Sequence, residues 1–208
     1  ASGSSERAVA VAPSYQISDA QKAFQDGVRA VRAGNHVQAI ENFKAAAKSG
    51  YAPAQGALGY HYEKGVGVPA NPAEAASWYR KAADQGSPHA QVSLGSLYER
   101  GRGVAQSDTE ALAYYAKADQ KGYPRGTLAM ASMFEAGKGV AKDPAKAFEL
   151  RKKVADQGVP AGQLALARSY AIGIGVEKNP TEAASLLRKA ADAGEPAAQV
   201  TLGRQYMQ

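Results

Sequence analysis

The sequence predicts an all-α fold, a solenoid of stacked antiparallel helical hairpins, from three observations. The first is a period. Gly50, Gly86, Gly122, Gly158 and Gly194 stand 36 residues apart without exception, and so do Leu58, Leu94, Met130, Leu166 and Leu202. Tyr62, Tyr98, Phe134, Tyr170 and Tyr206 keep the same step, as do Ala75, Ala111, Ala147 and Ala183. Self-similarity at a fixed step of this size marks a repeat architecture. The second is spacing within one period, where Ala54, Leu58 and Tyr62 fall on one face of a helix. The third is composition. A chain rich in Ala and Gly, with four Phe and one Trp, suits close helix contacts better than a sheet of bulky β-branched residues.

Taken in order, residues 1–19 read as a flexible N-terminal segment. Its stretch "ASGSSERAVAVAPS" fits a mature end left by signal cleavage, or equally an expression scar. Residues 20–49 read as one more helical hairpin, divergent and with a shorter turn at Gly34-Asn35. Its Ala39, Ile40, Phe43 and Ala46 are in register with Ala75, Ala76, Tyr79 and Ala82. Four full units follow, 50–85, 86–121, 122–157 and 158–193. In each, helix A runs into a Gly-x-Gly turn, and helix B opens at Asn71-Pro72, Ser107-Asp108, Asp143-Pro144 or Asn179-Pro180. There the first residue caps and Pro takes the first helical position. Glu74, Glu110 and Glu182 early in helix B, and Lys81, Lys117, Lys153 and Lys189 near its end, suit the helix dipole. The closing Gly supplies a left-handed C-cap. Residues 194–208 add half a unit, with Val200 and Met207 on an open face.

Gly59, Gly95 and Gly203 are expected where helices approach closely. The aromatic series at 62, 98, 134, 170 and 206 is read as core, being in helical register with Ala and Leu.

Several function classes fall away. Absent cysteines exclude disulfides, thiolate metal sites and Cys nucleophiles. The Gly-x-Gly of "GVGVPA" lacks the third Gly and the preceding strand of a dinucleotide site, and it recurs at 101/103, 137/139 and 173/175 between helices. His36, His61 and His89 lie in different hairpins without metal-ligand spacing and read as surface or groove histidines. No Gly-x-Ser-x-Gly elbow or Ser-x-x-Lys pair is present. No apolar run is long enough to span a membrane. The net charge of +6 collects in residues 20–49 and 122–157, without the dense basic stripe of a nucleic-acid binder. No cofactor, metal or nucleic-acid partner is expected, and no enzyme activity.

The unit resembles the Sel-one-like repeat, a relative of the tetratricopeptide repeat. Residues 50–86 carry its pattern nearly throughout, as Ala54, Leu58-Gly59, Tyr62, Gly65, Gly67-Val68, Ala75, Trp78-Tyr79, Ala82-Ala83 and Gly86. The later units depart at the aromatic pair, with Leu150-Arg151 and Leu186-Leu187, and carry Ala131 and Ala167 in place of Gly59. The resemblance implies a right-handed superhelix whose concave wall is lined by helix A. Mapped onto this chain, that wall presents Tyr60, Glu63 and Lys64, then His89, Ser96, Glu99 and Arg100. Arg125, Ser132 and Glu135 follow, then Arg168 and Arg204. It also implies a non-catalytic adaptor that binds a protein or peptide in a bacterial envelope setting, periplasmic or secreted, with the cytoplasm as the alternative. A module binding peptidoglycan or an exported polysaccharide is the competing reading.

Overall fold

The computed structural model describes residues 18–206, and among them every regular element is an α-helix. Residues 1–17, 207 and 208 lie outside the described residues, and with them the segment expected to be flexible and Met207 of the open face. The helices are α1 (Asp19–Arg32), α2 (His36–Lys48), α3 (Ala52–Lys64), α4 (Pro72–Asp84), α5 (Pro88–Arg100) and α6 (Asp108–Gln120). They continue as α7 (Pro124–Ala136), α8 (Pro144–Asp156), α9 (Pro160–Ile172), α10 (Pro180–Asp192) and α11 (Pro196–Tyr206). Odd and even helices pair into hairpins, and each even helix packs on the odd helix that follows it.

Helix B starts by one rule. Asn71 Oδ1 accepts from the Glu74 N–H at 3.1 Å, Ser107 Oγ from Glu110 at 3.2 Å, Asp143 Oδ1 from Lys146 at 2.8 Å and Asn179 Oδ1 from Glu182 at 3.1 Å. Each satisfies a backbone donor that the helix itself leaves orphaned. The same four residues donate their own N–H back to helix A, to the carbonyls of Tyr62, Tyr98, Phe134 and Tyr170 at 2.8–3.0 Å. One residue thus closes the loop and opens the next helix. Between hairpins, the Nε2 of Gln55, Gln91 and Gln199 donates to the Ala47, Ala83 and Ala191 carbonyls near the end of the preceding helix.

The Gly-x-Gly turn serves two separate needs. Gly65 caps α3 at φ +68°, a left-handed conformation that costs a side-chain-bearing residue about 1–2 kcal/mol. Gly67, at φ +74°, also lies against the hairpin before it, where a Cβ would come within 2.7 Å of the His36 backbone. Gly103 and Gly139 press in the same way on the starts of α4 and α6.

The core follows the period. Ala75, Ala111 and Ala147 are fully buried, as are Leu58 and Leu94, and Leu166 is nearly so. Met130 is half-buried, as are Tyr62, Tyr98, Phe134 and Tyr170, which pack against the buried clusters along one side. Gly59 and Gly95 are points of close approach, facing the Tyr79 and Tyr115 rings. Gly203 is not: nothing lies within 4 Å of the Cβ it would carry, because no described helix follows to press a ring on it.

The histidines also depart from expectation. His61 is 4% exposed, its Nδ1 donates to the Val66 carbonyl at 2.8 Å, and its ring lies 5.5 Å from Phe43 and 6.2 Å from His36. It occupies the repeat position filled by Leu97 and Met133 in the next two units, both buried. His36 is half-buried, and only His89 is exposed.

Candidate partner-binding groove

Successive helices A touch one another, α3 with α5, α5 with α7 and α7 with α9, whereas no pair of helices B approaches as closely. That asymmetry puts helix A on the inside of the curve. Along it, Tyr60, Ser96, Ser132, Arg168 and Arg204 fall in one row at the repeat step. Tyr60 is 46% exposed, and Arg168 and Arg204 are exposed. Ser132 is exposed and donates to the Leu128 carbonyl at 3.2 Å, while Ser96 is half-buried. His89 and Arg125 form an adjacent row, both exposed. Desolvation first, and the Arg125 charge second, hold the His89 imidazole below its ordinary pKa. Lys64 and Arg100 end their helices exposed, Lys64 Nζ reaching Glu63 at 2.9 Å.

The acids expected on this wall are already occupied. Glu63 accepts from the Tyr79 hydroxyl at 3.0 Å, and Arg102 of the next turn lies 3.9 Å away. Glu99 repeats the arrangement with Tyr115 at 3.0 Å and Lys138 at 3.1 Å. Each carboxylate therefore clasps helix A to helix B of its own hairpin and reaches a cation of the next. Burial first, and the carboxylate second, push both phenols well above the ordinary tyrosine range, so each stays a neutral donor. In the third unit Arg151 replaces the tyrosine. It is 5% exposed, pairs with Glu135 and donates to Ser169 Oγ on α9 at 2.9 Å. Among the wall residues, Glu63, Glu99 and Glu135 are thus brought into structural contacts, and the exposed ones are Tyr60, Lys64, His89, Arg100, Arg125, Ser132, Arg168 and Arg204.

The fourth unit has no clasp. Ala171 stands where Glu63 stands, Leu187 where Tyr79 stands and Ala167 where Gly59 stands. The space so vacated is a hollow of about 410 Å³ lined by Leu164, Ala167, Ala171, Ala183, Leu187 and Thr201, with Arg168 at its edge. Two adjoining hollows, of about 330 and 510 Å³, share Arg168 with it and also meet Ser132 and Arg151. Sequence reasoning missed Arg151, Ser169, Leu164 and Leu187, although the departure at the aromatic pair was the signal that something had changed there. Among the described residues no group of three His, Asp or Glu is placed to hold a metal ion, and no helix is long and apolar enough to cross a membrane.

Comparison with known proteins agrees with this geometry. The Sel1 repeat family matches residues 15–51, 52–87, 88–123, 124–159 and 160–195. The first hairpin, divergent in its turn, is therefore matched as a repeat like the others. A solved Sel1 repeat protein from Oxalobacter formigenes is similar with a TM-score of 0.80 and 31% identity, over 86% of this chain and 73% of its own. The structure of c5321, a protective antigen present in uropathogenic Escherichia coli strains and displaying an SLR fold, is similar with a TM-score of 0.76 and 33% identity over 89% of this chain. This chain spans 40% of the length of that antigen. The immunity protein Pa5087 from Pseudomonas aeruginosa shares the fold, with a TM-score of 0.60 at 19% identity, over 86% of this chain and 67% of its own. No curated protein matches the sequence. With five repeats matched along most of its length and the same solenoid in its neighbours, the chain belongs to the Sel1 repeat family.

Proposed function

We propose that the chain is a non-catalytic adaptor that binds a protein or peptide along the inner wall of its solenoid. The observation that carries this is the contrast between rows. Packing rows keep one kind of residue, Ala75, Ala111, Ala147 and Ala183 in one and Leu58, Leu94, Met130 and Leu166 in another, while the inner-wall row runs from an aromatic through two hydroxyls to two guanidinium groups. A stacked scaffold of this kind presents an extended concave surface whose side chains are free of the packing constraint. Sel1 repeats typically serve as protein-interaction scaffolds, which supports the reading. The bacterial sources of the similar structures support a bacterial envelope setting, in assembly, export or signalling.

The test is affinity capture from an envelope extract, with Tyr60→Ala/Arg100→Ala/Arg168→Ala as the inner-wall variant and Lys152→Ala as a control away from the inner wall. The adaptor reading expects a protein partner that is lost with the triple variant and kept with the control. Retention on purified cell-wall sacculi stripped of protein, lost with Tyr60→Ala, would replace it with glycan binding. Tyr60, 46% exposed, presents an aromatic face suited to stack on a sugar ring.

A further inference from the structure

The charge of the inner wall changes along its length. Helices α3, α5 and α7 each carry one acid with one Lys or Arg, Glu63 with Lys64, Glu99 with Arg100, and Glu135 with Arg125. Helices α9 and α11 carry one charged residue each, Arg168 and Arg204, and no acid. Where the acid disappears the clasp disappears with it, and the apolar hollow beside Ala171 and Leu187 opens. Arg168 borders all three hollows, is exposed, and makes no hydrogen bond or ion pair among the described residues. An unpaired guanidinium at the lip of an apolar depression is matched by a carboxylate next to an apolar side chain, since Arg bonds carboxylates in a planar fork.

We propose that the C-terminal half of the groove is the docking site and that its occupant is an acidic peptide segment. A carboxylate of that segment bonds Arg168, and a neighbouring large apolar side chain enters the hollow between α9, α10 and α11. The proposal rests on the adaptor reading and adds where the partner sits and what chemistry it presents. The N-terminal half, whose acids are held in clasps and flanked by cations, contributes a wall of balanced charge.

Random peptides of about ten residues, displayed on phage and panned on the intact chain, supply the probe. Peptides that carry Asp or Glu within two positions of Leu, Ile, Phe or Met are expected to be enriched. A synthetic copy of one is then titrated against variants. Arg168→Glu should weaken binding by about tenfold or more, and added salt should weaken it in the wild type. Ala167→Gly/Ala171→Glu/Leu187→Tyr, which transplants the second unit's clasp and refills the hollow, should also abolish binding while circular dichroism reports an intact helical fold. Lys152→Ala, away from the inner wall, should bind as the wild type does. Binding that is indifferent to Arg168→Glu and to the refilled hollow but lost with Tyr60→Ala would overturn this site and leave the adaptor reading standing. Failure to enrich any peptide would overturn both.

Discussion

Alanine placed at two glycines three residues apart in α3 should move stability in opposite directions. At Gly56 the new Cβ meets nothing within 4 Å, so the helix gains the propensity difference, roughly 0.8–1 kcal/mol. At Gly59 the Cβ would lie 2.5, 2.6 and 2.8 Å from Tyr79 Cδ1, Cε1 and Cγ, where ordinary contact begins at 3.4 Å. The ring is 1% exposed and its hydroxyl is held on Glu63 at 3.0 Å, so it cannot swing aside without breaking that bond. Overpacking of this kind costs about 1–3 kcal/mol. The propensity gain is common to both variants and cancels in their difference, which therefore isolates the steric cost. Urea unfolding followed by circular dichroism should put Gly56→Ala above the wild type and Gly59→Ala below it, separated by about 1–3 kcal/mol at unchanged slope. Leu187 beside Ala167 shows that a smaller partner accepts the methyl group, so adding Tyr79→Leu to Gly59→Ala should cost less than the two changes summed. Stabilisation by both alanines, or simple additivity in the double variant, would refute the packing argument.

Gly67→Ala and Gly122→Ala both force a left-handed backbone, at φ +74° and +69°, yet only Gly67 has a neighbouring hairpin in the way. Unfolding midpoints should place Gly67→Ala at least about 1 kcal/mol below Gly122→Ala, and equal midpoints would remove its role between hairpins. Glu135→Ala strands the buried Arg151 guanidinium and should cost about 3–5 kcal/mol. Glu63→Ala strands only a neutral phenol, at about 1–3 kcal/mol, and equal losses on denaturation would contradict the assignment. His89 should titrate below 6.5, observed on its ring protons by NMR. Its folded pKa is depressed, so its contribution to stability is present above pH 6.5 and declines as pH falls below that value. Arg125→Gln should raise the midpoint only in part, since desolvation is the larger cause, and no movement at all would remove the charge effect.

The hairpins were legible because their determinants are local. A cap at Asn71 or Asn179, a proline after it and a left-handed glycine at each closing position are read within a few residues, and each does in the structure what its type dictates. The site was legible only where a residue's role depends on its own row. Arg168 and Tyr60 are exposed because the curve exposes their row. Glu63 and Glu99 stand on the wall the repeat step predicts, but their phenol partners are 16 residues away, across a turn whose geometry the spacing does not specify. His61 reads as a groove residue by its polarity, but its register places it in the core. Leu97 and Met133, one and two steps on, already marked that position as core.

Within each hairpin two separate rules govern three positions, and the five hairpins together separate them. The first hairpin pairs Gly27 with Phe43, where a Cβ on the glycine would lie 2.5 Å from the ring, and it has Val31 where later units have Glu63. An aromatic ring therefore demands glycine opposite it, whether or not an acid is present. Phe43 has no hydroxyl, so no acceptor is required. In the fourth hairpin Arg151 replaces the ring, Ala131 replaces the glycine, and Glu135 stays to take the guanidinium. A hydrogen-bond donor at the tip therefore demands the acid, whether or not a ring is present. The fifth hairpin drops ring and donor together, and glycine and acid both become alanine. Each substitution is forced by its partner through contact or through an unpaired buried polar group. The hollow beside Arg168 is thus what remains when both demands are lifted at once, and the inner wall there is free to meet another molecule instead of its own helix B.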